Sequence, residues 1–119
     1  MSNYKRNSMR SFFFHFLMMV FGLGCKKNEV KEEYPDCLNS IIDSHKINAC
    51  SSGASVKEYS FQNNLVFVFD PGICGADMQS IVYNNTCINI GALGGIAGNT
   101  TINGADFSMA TYVKTIWQN

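Results

Sequence analysis

The sequence predicts an α+β domain: one N-terminal helix packed on a four- to five-stranded antiparallel sheet, stapled by two disulfides. Three observations carry this. A single helical stripe of Leu38, Ile41, Ile42 and His45 falls at i, i+3, i+4 and i+7. Two runs of aromatic and β-branched residues fold back on themselves at Asn63-Asn64 and Asn84-Asn85. Four cysteines, Cys37, Cys50, Cys74 and Cys87, lie in the same stretch, spaced at least thirteen residues apart.

Taken in order, Pro35-Asp36 opens the domain, with Asp36 placed to cap the first turn through its carboxylate. The helix is expected over residues 37–47. Cys50 to Gly53 then form a loop. Val56–Phe61 and Leu65–Phe69 make the first hairpin. With Asn63-Asn64 as the loop, Phe61 faces Val66, Tyr59 faces Val68, and Lys57 pairs with Asp70 at the open end. That face reads as the core face. The other, with Glu58 and Ser60 beside Phe67 and Phe69, reads as mixed and partly covered. Asp70-Pro71-Gly72 and the segment through Asp77 are turns. Ser80–Tyr83 and Thr86–Ile90 make a second hairpin, with Val82 opposite Cys87 and Ile81 opposite Ile88. Gly91, Gly94, Gly95, Gly98 and Gly104 break regular structure over 91–104. The final segment combines a helical stripe from Asp106 with a run dense in strand formers, so a helical turn near 106–110 and then a strand are expected.

What precedes the domain is an address. Lys5, Arg6 and Arg10 stand before an apolar run from Ser11 to Gly24 with no fixed charge, the pattern of an export signal over residues 1–24. That run is shorter than the roughly 20 residues of a membrane span. Gly22-Leu23-Gly24 suits ordinary secretion. The same residues followed by Cys25 resemble the lipobox of bacterial lipoproteins, with Gly22 where that motif usually carries leucine. Five cysteines in the chain favour lipidation, since acylating Cys25 leaves four thiols for two disulfides. Residues 25–34, charged and almost free of apolar side chains, read as a lipidated tether, and 35–119 as the single domain. Four cysteines allow three pairings. Extending the first hairpin brings Cys50 towards Cys74, which favours Cys50–Cys74 with Cys37–Cys87.

Composition narrows the functions. From Cys25 onward the chain has six lysines, no arginine and nine acidic residues, a poor basis for phosphate contacts, so nucleic acid is not expected as a partner. His45, the sole histidine after Cys25, lies on the apolar stripe and reads as a packed rim residue rather than a catalytic base. The cysteine spacing lacks the close pairs of a zinc site, and no carboxylate-rich calcium loop occurs. Neither a metal nor a cofactor is expected. The glycine loop lacks the lysine of a phosphate-binding loop. Asp70 and Asp77 read as turn residues, and Trp117 as a core anchor.

The order of features resembles an uncharacterised family of small Bacteroidota cell-envelope lipoproteins. The likeness rests on Pro35-Asp36-Cys37, Val56 with Tyr59, Val66 to Phe69, Cys74 with Asp77, Tyr83 with Cys87, Gly94-Gly95, Asp106-Phe107 and Ile116-Trp117. Cys50 is additional to that pattern. The resemblance implies an outer-membrane lipoprotein and no particular activity. The expectation is a lipid-anchored, non-catalytic envelope domain with a protein or glycan partner, held to the membrane through its N-terminal lipid. The alternative is an inhibitor of an envelope or host hydrolase. In either case Gly91, Gly94, Gly95, Gly98, Asn99 and Gly104 form the candidate binding loop. Whether it faces the periplasm or the exterior is open.

Overall fold

The computed structural model describes residues 34–119. Helix α1 spans Leu38–Asn48. Strands β1 (Ser55–Phe61), β2 (Asn64–Asp70), β3 (Gln79–Asn84) and β4 (Asn89–Gly94) follow as a meander. Short strands β5 (Thr101–Ile102) and β6 (Ala105–Asp106), a 3-10 turn η1 (Phe107–Met109) and strand β7 (Thr111–Gln118) complete the chain. The main sheet has five antiparallel strands in the order β4-β3-β2-β1-β7, so β7 returns to the far side of β1 rather than extending the meander. β5 and β6 form a separate two-stranded ribbon. The predicted helical turn followed by a strand at the C-terminus is present.

Asp36 does not cap the helix. Cys37 is the N-cap residue and makes no side-chain cap hydrogen bond. The carbonyls of Pro35 and Asp36 instead accept the N–H groups of Leu38 and Asn39. The start of the helix is held covalently, because Cys37 is bonded to Cys87 with the Cα atoms 6.1 Å apart. The second disulfide is Cys50–Cys74, at 5.6 Å. It joins the exit of α1 to the β2–β3 loop, where Cys50 N–H also donates to the Pro71 carbonyl.

The first hairpin is slipped relative to the sequence reading. Phe61 pairs with Asn64, and the two loop residues are Gln62 and Asn63, both with positive φ (51° and 61°). That is the backbone of a tight turn whose twist matches its strands. Lys57 therefore faces Val68, not Asp70. The ion pair on β1 is Glu58 with Lys114, at 3.9 Å across the β1–β7 pairing. The slip moves each residue by one partner on the same side, so membership of the two faces is unchanged.

Both faces are cores. Val56, Phe67 and Phe69 pack against Leu38 and Ile42 of α1, so the helix covers the face that looked mixed. His45 adds to this layer: its ring meets Phe69 and Trp117 edge-on, and its Nε2 lies 2.8 Å from the Asp70 carbonyl oxygen. Phe61, Val66 and Val82 pack against Ile102 on the opposite face, with Phe107 beside them. The glycine-rich segment thus supplies a cover, not a free loop. Gly91 and Gly94 lie within β4, contrary to the expectation that the glycines exclude regular structure. At Gly91 (φ 147°) a Cβ would come within 2.9 Å of Ile102 Cδ1, so any side chain there would strain the backbone and displace the tip of Ile102.

The second hairpin is also longer than expected. β4 begins at Asn89, and Val82 pairs with Gly91 and Ile81 with Ala92. Residues 85–88 form the turn, and Cys87 sits in it with φ 63°. The Asn84 carboxamide organises this turn. Its Oδ1 accepts the backbone N–H of Thr86 at 3.0 Å and of Ile88 at 2.9 Å, and the Thr86 hydroxyl at 2.9 Å.

Candidate binding site: a cleft between three turns

Antiparallel pairing brings three turns to one end of the sheet: Gln62-Asn63, residues 85–88, and Asn103-Gly104 between β5 and β6. Between them lies a cleft of about 210 Å³. Five carboxamide residues line it, Gln62, Asn64, Asn84, Asn85 and Asn103, together with three apolar ones, Phe61, Val66 and Ile90. Among the described residues no charged side chain lines it. The Cys37–Cys87 bridge ties the start of the domain to this same end of the sheet.

The carboxamides are unequally committed. Asn84 spends its oxygen within its own turn. Asn64 donates one N–H to the Gln62 carbonyl at 3.1 Å. The side chains of Gln62, Asn85 and Asn103 make no hydrogen bond to another described residue, and all three are exposed. The cleft therefore presents both donors and acceptors without charge.

The predicted binding loop divides differently. Gly91 and Gly94 belong to β4, and Gly104 to the β5–β6 turn. Gly95 and Gly98 bracket a tight turn closed by Gly98 N–H donating to the Gly95 carbonyl at 3.0 Å. Asn99 locks it from behind, giving its Nδ2 to the carbonyls of Ala92 and Thr101 and exchanging backbone hydrogen bonds with Gly94. Ile96 stands at the tip, 90% exposed. This tip is at the opposite end of the sheet from the cleft, beside Met78, whose carbonyl accepts the Gly95 N–H. The six predicted loop residues are thus not gathered into one site.

Of the cysteines, Cys37, Cys50, Cys74 and Cys87 pair as favoured, and Cys25 lies outside the described residues. No group of three or more His, Cys, Asp or Glu side chains able to hold a metal occurs among the described residues. No helix among them is long and apolar enough to cross a membrane. Asp70 ends β2, where its Oδ1 accepts the Gly72 N–H at 2.9 Å, and Asp77 lies in the β2–β3 loop with φ 58°. The Asp106 carboxyl is held below its ordinary range, first by the backbone N–H of Ser108 and then by the Ser108 side chain.

Sequence reasoning missed Gln62, Asn64, Asn85 and Asn103. Asn103-Gly104 is a strong two-residue hairpin signal, masked in the sequence by the four glycines that precede it from Gly91 on. Asn84-Asn85 marks a turn locally, but nothing local tells which other turns stand beside it. No curated protein and no solved structure matches the chain. The domain of unknown function DUF6970 matches residues 48–119, from the last residue of α1 through β7. With more than half of its length so matched, the chain belongs to the DUF6970 family.

Proposed function

We propose that this protein is a lipid-anchored domain of the bacterial cell envelope that binds a partner and does not catalyse a reaction. The observation that carries the binding role is the cleft itself, lined by neutral hydrogen-bonding residues and apolar ones. Such a lining can hold a ligand, but it supplies no nucleophile–base pair and no paired carboxylates. The two disulfides suit an oxidising compartment, and the basic-then-apolar start before Cys25 supports export and acylation. Acylation at Cys25 would hold the protein on a membrane, each buried methylene adding about 0.8 kcal/mol.

Intact-mass analysis of the protein recovered from the envelope tests this. The expected mass is that of the chain from Cys25 with acyl groups added and four thiol hydrogens lost. Recovery of unprocessed chain in the cytoplasm with all its thiols reduced would refute the reading.

One observation favours a second reading, inhibition of an envelope or host hydrolase. The Gly95–Gly98 turn presents Ile96 on a backbone fixed by hydrogen bonds at both ends, and preorganised loops bind with less entropic loss. Deleting residues 91–104 would remove part of β4 and the buried Ile102, so a point substitution is the sharper probe. If this reading holds, added domain lowers a hydrolase activity and Ile96→Asp abolishes the effect.

A further inference from the structure

We infer that the cleft between the three turns is a binding site for an uncharged saccharide unit. The inference rests on the binding role proposed above and names its ligand class. A sugar hydroxyl both donates and accepts, and so does a carboxamide. Gln62, Asn85 and Asn103 have these groups uncommitted, and the Asn84 amide donors are free because only its oxygen is used. Ile90, the half-buried apolar residue of the lining, suits an acetamido methyl.

The same features disfavour other ligands. An anion or cation would lose water here without meeting an opposite charge. A planar base needs an open stacking platform, and Phe61 is only 4% exposed. An extended peptide pairs with a strand edge, whereas this cleft is formed where strands turn. The volume of about 210 Å³ lies under the roughly 300–1,000 Å³ of sites for drug-sized ligands. It therefore fits a single sugar unit, with any remaining chain lying outside.

The test is a titration of the ¹⁵N-labelled full chain in detergent, with both disulfides formed, followed through its side-chain NH₂ signals. The probes are N,N′-diacetylchitobiose, cellobiose, glucuronic acid and trialanine. At least one of the neutral disaccharides is expected to shift the Gln62, Asn85 and Asn103 signals saturably, with little response to the other two probes. Asn85→Ala should weaken that binding about three- to tenfold, the range for one lost hydrogen bond. Asn103→Asp, which keeps shape and tolerates positive φ, should weaken it comparably and serves if the first variant unfolds. The inference is overturned if neither disaccharide gives a saturable shift. It is equally overturned if glucuronic acid or trialanine binds as tightly, or if both variants bind like the parent. A null titration leaves the mass test of acylation untouched, so loss of the ligand class and loss of the anchored role are separable.

Discussion

At the scale of single residues, the decisive groups are those with no room to change. Phe67 is fully buried between α1 and the sheet. Phe67→Ala should cost about 3–5 kcal/mol, from lost transfer energy and the cavity left behind, measured by urea unfolding with the disulfides intact. Gly91→Ala meets both a positive φ and the Ile102 side chain. It should destabilise by about 1–3 kcal/mol and loosen the β5–β6 cover, seen as faster amide exchange at Ile102. Asp106 is a question of sign. Its carboxyl is lowered by the Ser108 N–H, 2.8 Å from Oδ1. A lowered folded value means that the stabilising contribution is present above the ordinary carboxylate range and is lost as pH falls through the lowered value. Asp106→Asn should flatten that part of the acid limb in a melting series against pH, leaving the neutral region little changed because the group is exposed.

At the scale of elements, the turns and bridges set what the strands can do. In the β1–β2 turn, Gln62 and Asn63 carry positive φ, a conformation glycine adopts without steric cost. Asn63→Gly should therefore raise stability by about 0.5 kcal/mol, read from the urea midpoint, and should spare the cleft, which Asn63 does not line. The bridges act differently from one another. Cys37–Cys87 spans 50 residues, and in the chain-entropy account closing that loop contributes about 4 kcal/mol. Cys50–Cys74 spans 24 residues and contributes about 3 kcal/mol, alongside backbone hydrogen bonds that already join Cys50 to Pro71 and Ser52 to Ile73. Cutting the longer bridge should be the more damaging, because α1 begins with no side-chain cap and depends on it for its start.

At the scale of the whole molecule, one sheet with two apolar faces needs two covers. α1 covers one face, and the β5–β6 ribbon with η1 covers the other. The family match begins at Asn48, where α1 ends, so the matched region carries the second cover and not the first. A chain beginning at Asn48 would expose Val56, Phe67 and Phe69. It should melt at a lower temperature and bind a hydrophobic dye that the longer chain excludes. Equal melting of the two chains would show that the helix is dispensable.

The helix, the first four strands and the last strand were legible from the residues alone, whereas the β5–β6 ribbon was not. The stripe at Leu38, Ile41 and Ile42, the β-branched and aromatic runs, and the even count of cysteines after Cys25 are local patterns, and local patterns report local structure. Even the disulfide pairing was within reach, because extending one hairpin brings Cys50 towards Cys74. The register was not. Asn63-Asn64 and Gln62-Asn63 are both acceptable turns in isolation, and both put the same residues on each face, so the periodicity that marks the strands does not choose between them. The glycine-rich segment misled as well. Gly91 reads as a break until Ile102 is seen to occupy the space its side chain would fill. The cleft, too, exists only in three dimensions, since Gln62, Asn85 and Asn103 are far apart in sequence and meet because antiparallel strands return their turns to one end. Periodicity decided what each segment is, and packing between distant segments decided which turns would stand together.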